Sequence, residues 1–322
     1  MIRLPIFHSR DALFLARCFY LAPLLILWPI KSPLFLAGHG SNHFHPPLGP
    51  FLLFSGYPSA EWVRLFEGAL FLLFAFWLAG RGGWKVGGAI SLILTLLSGF
   101  VYCTGKVDHD FIILLAPLLL TLPKSRDSLA VIIAIYYASS GFAKAAGYWL
   151  DPASQASLSW ALYYRDVHQP PALLLDWALH SFPGWFWEVC DLATVGFELA
   201  VPLAIIPRFR KFILPAIPLF HIGVLLLFGI DFSRLLLLYL PLAILVSAKP
   251  DKLPLKSKTK KTIMVLFTCA LLLSWTHRFL TGTFWKIELP TNSAGLTLFS
   301  LLALILSIHF FKTFLPKRKS AD

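Results

Sequence analysis

The stretch Trp84–Thr104 reads WKVGGAISLILTLLSGFVYCT. After Lys85 it holds no charged side chain, and its apolar residues fall on every side of a 3.6-residue helical period. A helix without a polar face is buried in lipid or in a very large protein core. At 1.5 Å per residue the stretch is about 30 Å long, the hydrocarbon thickness of a bilayer. With 322 residues the chain is too short to supply the very large core, so the stretch reads as a membrane-spanning helix.

Working outward from it, similar stretches recur along the whole chain. They are Asp11–Ile30, Glu61–Gly80, His109–Leu122, Ser128–Tyr148, Gly184–Ile206, Phe212–Ile230, Phe232–Ala248, Thr262–Leu280 and Ala294–Phe314. The expected fold is therefore all-α, a polytopic transmembrane bundle of about ten helices. His109–Leu122 is the shortest stretch and contains Pro117, and only Asp231 separates Ile230 from Phe232, so either region suits a half-spanning piece. Composition agrees: 57% of residues are hydrophobic, 14% are charged and the mean hydropathy is +0.73. Soluble domains carry nearer a quarter charged residues.

Lysine and arginine resist translocation, so their placement orients the bundle. With the N-terminus inside, most of the 28 basic residues fall in inner segments, including six lysines between Lys249 and Lys261 and four basic residues near the C-terminus. The ten spans give this alternation, and removing one scrambles it. Both termini are thus expected in the cytoplasm, in a multi-pass protein of the plasma membrane (the inner membrane in a bacterium). The net charge of +12 belongs to helix ends rather than to one folded basic face, which excludes a nucleic-acid partner. The expected organisation is a bundle over residues 10–248, a Lys-rich cytoplasmic linker over 249–261, and a C-terminal helix pair with a basic tail over 262–322.

The N-terminal apolar run is longer than a cleavable signal core and contains Arg17, so it reads as a retained first helix. Cys18, Cys103, Cys190 and Cys269 all lie in spans and form no metal-binding spacing. His39, His43 and His45 share a loop without a completing ligand, so no metal is expected.

Ionisable groups inside lipid cost several kcal/mol unless paired or hydrated, which makes each a candidate functional residue. Lys144 lies about 6 Å below the outer end of its helix, and His109 opens the preceding helix from the same side. The two can share an outward-facing pocket. Glu198 and His221 lie deeper, about 12 Å from the inner end and about 13 Å from the outer end of neighbouring helices, and are expected to pair. The residues alone leave other readings open. Lys144 can snorkel to the interface, His109 can cap its helix, and Glu198 with His221 can be a buried structural pair or a proton relay. The aromatic-rich stretch Tyr148–Trp187 reads as an interfacial belt or lid.

The order of these residues resembles the membrane domain of vitamin K-dependent gamma-carboxylase and its relatives, the horizontally transferred transmembrane (HTTM) family. The resemblance rests on Asp108-His109-Asp110-Phe111 at a helix start, Ser140-Gly-Phe-Ala-Lys144 followed by Trp149, then Glu198 and Phe220-His221, over roughly Arg10 to Lys249. It implies a lysine base acting on a reduced isoprenoid quinone, a role that falls on Lys144. It matches His109 to the histidine at the helix start and His221 to one in a later helix, on a face equivalent to the outside. The family's double lysine reads Phe-Ala-Lys here, and no large soluble domain follows the spans, so carboxylation of glutamate is not implied. The expected function is a quinone- or lipid-linked membrane enzyme with catalytic Lys144, His109 and His221 and with Glu198 as their buried polar partner. The alternatives are a proton-coupled transporter or channel, or a non-catalytic subunit of a membrane complex. The expected partners are the lipid bilayer and a hydrophobic small molecule, a quinone or a lipid.

Overall fold

A computed structural model describes residues 9–26, 36–37, 44–46, 50–103, 111–167, 172–228, 230, 233–248, 254–281 and 301–309. Among these described residues the chain is all-α, with no strand. The helices are α1 Ser9–Ile26, α2 Ala60–Leu78, α3 Gly83–Tyr102, α4 Phe111–Leu119, α5 Ser125–Ala146, α6 Ala156–Val167, α7 Leu175–Ser181, α8 Gly184–Ala200, α9 Pro207–Phe228, α10 Ser233–Ser247 and α11 Ser257–Thr281. Residues 301–309 are also helical. Each apolar stretch drawn from the sequence overlaps one of these helices, with ends that differ by up to about six residues, while α6 and α7 occupy the aromatic-rich stretch between two of them. Helix α11 begins inside the Lys-rich segment expected to be a linker.

Three helices among the described residues are long and apolar enough to cross a membrane: α3, α5 and α9. The others fall short for separate reasons. Helix α2 carries Glu61, Arg64 and Glu67 in its first turns. Helices α8 and α10 have 17 and 15 residues, and α4 has 9. The outward faces of the three long helices are themselves apolar: Leu92 on α3, Val131, Ile135 and Phe142 on α5, and Phe212 and Leu219 on α9 are all exposed. A helix facing water turns polar residues outward.

The chain divides into two compact units, one built mainly on Asp127–Tyr239 and the other mainly on Ile6–Arg126 with Leu240–Leu289. In the second unit, buried Arg17 closes two helix ends. Its Nη1 donates to the Trp77 carbonyl at 2.8 Å and its Nη2 to the Leu120 carbonyl at 3.4 Å. The first is a C-terminal carbonyl of α2 that also accepts the Gly80 N–H at 3.0 Å, and the second belongs to the turn after α4. Arg17 therefore pairs inside the protein and does not reach for an interface. Pro117 removes a backbone donor from α4, and neighbouring helices satisfy the disturbed region. Trp77 Nε1 donates to the Pro117 carbonyl at 3.1 Å, and the Leu118 N–H donates to Ser91 Oγ at 3.1 Å. Buried Asp11 accepts the Leu255 N–H at 2.6 Å and pairs with Lys260, tying the start of α1 to the approach of α11.

The first unit holds the candidate site. Its α5 buries one stripe, Leu129, Ala130, Ile133, Ala134, Tyr137 and Gly141, at the three- and four-residue steps of a helix face. Asp127 lies in its first turn and Lys144 in its last, each sign favourable at that end of the helix dipole. Arg210 of α9 donates to Asp127 Oδ1 at 2.9 Å, to the Ala204 carbonyl at 2.9 Å and to the Ile205 carbonyl at 3.3 Å. The start of α5 therefore neighbours the chain just beyond α8, and the two helices run antiparallel.

Candidate functional site

Lys144 sits two residues before the end of α5, and its side chain turns back into the helix rather than out past the end. Its Nζ donates to Ser140 Oγ at 2.7 Å and to both oxygens of Glu198 at 2.8 Å, and it stands 5.4 Å from the centre of the Trp149 ring. Helical side chains lean toward the N-terminus of their own helix. On antiparallel α5 and α8, the lean carries Lys144 and Glu198 toward each other. The amine thus lies about one turn deeper than the lysine backbone, or about 6 Å. A snorkelling lysine would point the other way.

The close approach depends on Gly141. A Cβ at this position would stand 3.0 Å from Leu199 and 3.1 Å from the Glu198 Cβ. A residue without a side chain, one turn from Lys144, therefore lets the backbones approach until a short glutamate side chain reaches the amine. The Lys144 side chain is 24% exposed and that of Glu198 8%. With three oxygens around the amine, the hydrogen-bonding capacity of the ammonium is filled.

Beside the pair lies a buried cluster of two tyrosines and a histidine. The Tyr137 hydroxyl meets His221 Nε2, and the Tyr239 hydroxyl donates to the Tyr137 oxygen at 3.3 Å. All three residues are buried. If Tyr239 donates to Tyr137, the Tyr137 hydrogen is directed at His221 Nε2, and the ring proton then belongs on Nδ1. Phe197 and Phe220 stack with centroids 4.6 Å apart and close the cluster from α8 and α9. Tyr137 precedes Lys144 by seven residues on the same face of α5, and Phe220, next to His221, stacks on Phe197, next to Glu198. The pair and the cluster therefore form one polar region.

The structure brings Lys144 and Glu198 into contact and sets His221 beside them. Their contacts differ from the expected direct pairing of Glu198 with His221. Glu198 is taken up by Lys144, and the Tyr137 hydroxyl stands at the histidine. His109 lies outside the described residues, as do His39 and His43, while His45 is exposed. Sequence reasoning missed Ser140, Tyr137 and Tyr239 as members of the site. A signal for two of them was present, since Ser140 and Tyr137 precede Lys144 by four and seven residues and so share its helix face. Tyr239 comes from α10, and no spacing connects it to α5.

Phe142, two residues before the lysine, and Tyr148, four residues after it, are exposed. Among the described residues no group of three His, Cys, Asp or Glu side chains is arranged to hold a metal ion. In comparisons with known proteins, no family model, no curated protein and no solved structure matches the chain.

Proposed function

We propose that this chain is a multi-pass integral membrane protein of about ten spans, with both termini in the cytoplasm, and that it is an HTTM-type enzyme moving a proton to or from a lipid-soluble substrate at Lys144. The observation that carries this reading is the inward-turned amine held by Ser140 and Glu198. A buried ion pair is poor evidence of a stabilising role, because desolvating two charges offsets most of their attraction. At 2.8 Å one proton transfer converts the ammonium and carboxylate into an amine and an acid, a pair that apolar surroundings tolerate better. The amine so formed is a base, and Glu198 holds its proton.

A reduced isoprenoid quinone, the molecule the resemblance implies, would supply an acidic hydroxyl. Lys144 would accept that proton, with the Trp149 ring beside the amine. The test is oxygen uptake by the reconstituted protein with a reduced quinone. Wild-type activity lost in Lys144→Arg supports the base, because arginine keeps the charge but does not deprotonate. Full activity in Lys144→Arg rejects it.

A second reading has its own observation. Tyr239, Tyr137 and His221 make a hydrogen-bonded series beside Glu198, which suits a proton relay in a transporter or channel. Proton flux into liposomes that is lost in His221→Ala and Tyr137→Phe, without quinol turnover, favours this reading.

A further inference from the structure

We infer that α6 and α7 form an interfacial hairpin that seats its outward face in the headgroup boundary of the bilayer, at the end of α5 nearest Lys144. This rests on the membrane-spanning reading. The two helices are about 18 Å and about 10 Å long, too short to cross about 30 Å of hydrocarbon. They also carry Arg165, Asp166 and Asp176, which a spanning segment would bury at high cost. Yet their outward side is not that of a helix in water. Trp160, Leu162 and Tyr163 on α6 and Trp177 on α7 are between 38% and 56% exposed, and Tyr148, Leu173 and Trp185 just outside the two helices are exposed as well. Tryptophan and tyrosine, with an apolar body and a polar tip, concentrate at the boundary between lipid and water.

The orientation of that face is set by packing. Asp191 of α8 is buried and accepts both the N–H and the hydroxyl of Ser157 in the first turn of α6. Ala161, Leu175 and Ala178 then bury against Trp187. With Ser157 and Ala161 held inward, Trp160 and Tyr163 point outward, and Trp160 stacks on Tyr164 with centroids 5.5 Å apart. On α5, the helix that precedes them, Ile135 and Phe142 are likewise exposed. Charge does not supply the attraction, since Asp151, Asp166 and Asp176 outnumber Arg165 over 147–183. Asp191 precedes Glu198 by seven residues on α8, so the anchor places the Lys144–Glu198 pair about 10 Å to the membrane side of Ser157.

The experiment is spin labelling of the full chain in vesicles, with Cys18, Cys103, Cys190 and Cys269 replaced by serine. Nitroxides are placed by Trp160→Cys, Tyr163→Cys and Trp177→Cys, with Ile135→Cys on α5 and Asp151→Cys as references. Collisions with oxygen report lipid, and collisions with a nickel chelate report water. The expected result is a loss of nickel collisions at 160, 163 and 177 relative to 151, at a depth shallower than 135 and independent of the fraction of anionic lipid. Nickel access equal to that at 151 overturns the proposal. So does low access to both reagents, the mark of a covering protein. Nickel access at 135 rejects the spanning reading itself and the hairpin with it. Depth-dependent quenching of the unsubstituted protein's tryptophans by brominated lipids guards against misfolded variants: quenching confined to deep bromines opposes the inference, and quenching by shallow bromines supports it.

Discussion

Removing the two ends of the Lys144–Glu198 pair one at a time should have unequal effects. Lys144→Ala leaves a carboxylate 8% exposed without its counter-charge and deletes three hydrogen bonds, to Ser140 and to both Glu198 oxygens. Stranding a buried charge in this way costs about 3–5 kcal/mol. Glu198→Ala leaves an amine that is 24% exposed, still bonded to Ser140 and facing Trp149. The expected cost is about 1–2 kcal/mol, near that of an unsatisfied polar group. The double variant removes the stranded charge, so its cost should fall below the sum of the singles by about 1–3 kcal/mol. The assay is reversible unfolding in mixed micelles, followed by helical circular dichroism. Strict additivity, or a larger loss in Glu198→Ala than in Lys144→Ala, would refute the argument from burial.

Further outcomes follow from other contacts. Gly141→Leu should separate α5 from α8 and sharply lower the yield of folded protein, because even the first carbon of the added side chain would stand 3.0 Å from Leu199; normal yield and stability would show that the close approach is dispensable. Tyr137→Phe should destabilise by about 1–3 kcal/mol, since both His221 and Tyr239 lose a buried hydrogen-bond partner, and a melting temperature unchanged from wild type would contradict that network. Arg17→Leu should lower stability by about 2–4 kcal/mol through loss of two charge-assisted bonds to helix-end carbonyls, and Arg17→Lys should restore only part of it, both read by the same unfolding assay. Cysteine labelling should reach the His39–His45 loop from outside and the Lys249–Lys261 segment and Asp322 only from inside; an external C-terminus would overturn the ten-span topology.

The sequence by itself determined that the chain is all-α and roughly where its longer helices lie, although several ends differ by a turn, as at Pro207 against the expected Phe212 for the start of α9. That information is local. Whether a segment is apolar all round, where a proline interrupts it and where charges bound it are properties of neighbouring residues, and they act through backbone hydrogen bonding and the burial of apolar surface. The sequence also singled out Lys144, Glu198 and His221, because a charged or titratable residue in an apolar run stands out without knowledge of its neighbours. Which of them meet was a matter for tertiary structure alone. Depth along separate helices suggested Glu198 opposite His221, but partner choice depends on helix direction, on the lean of side chains toward their own N-termini, and on how closely two backbones approach. Gly141 decides the last of these by lacking a Cβ that would meet Leu199. Tyr239 enters from a helix 102 residues distant in sequence from Tyr137, a relation that only packing creates. The aromatic stretch Tyr148–Trp187 shows the same division. Its composition suggested an interfacial belt or lid, whereas the two helices within it, and the buried aspartate that fixes which side of α6 faces outward, came from the fold.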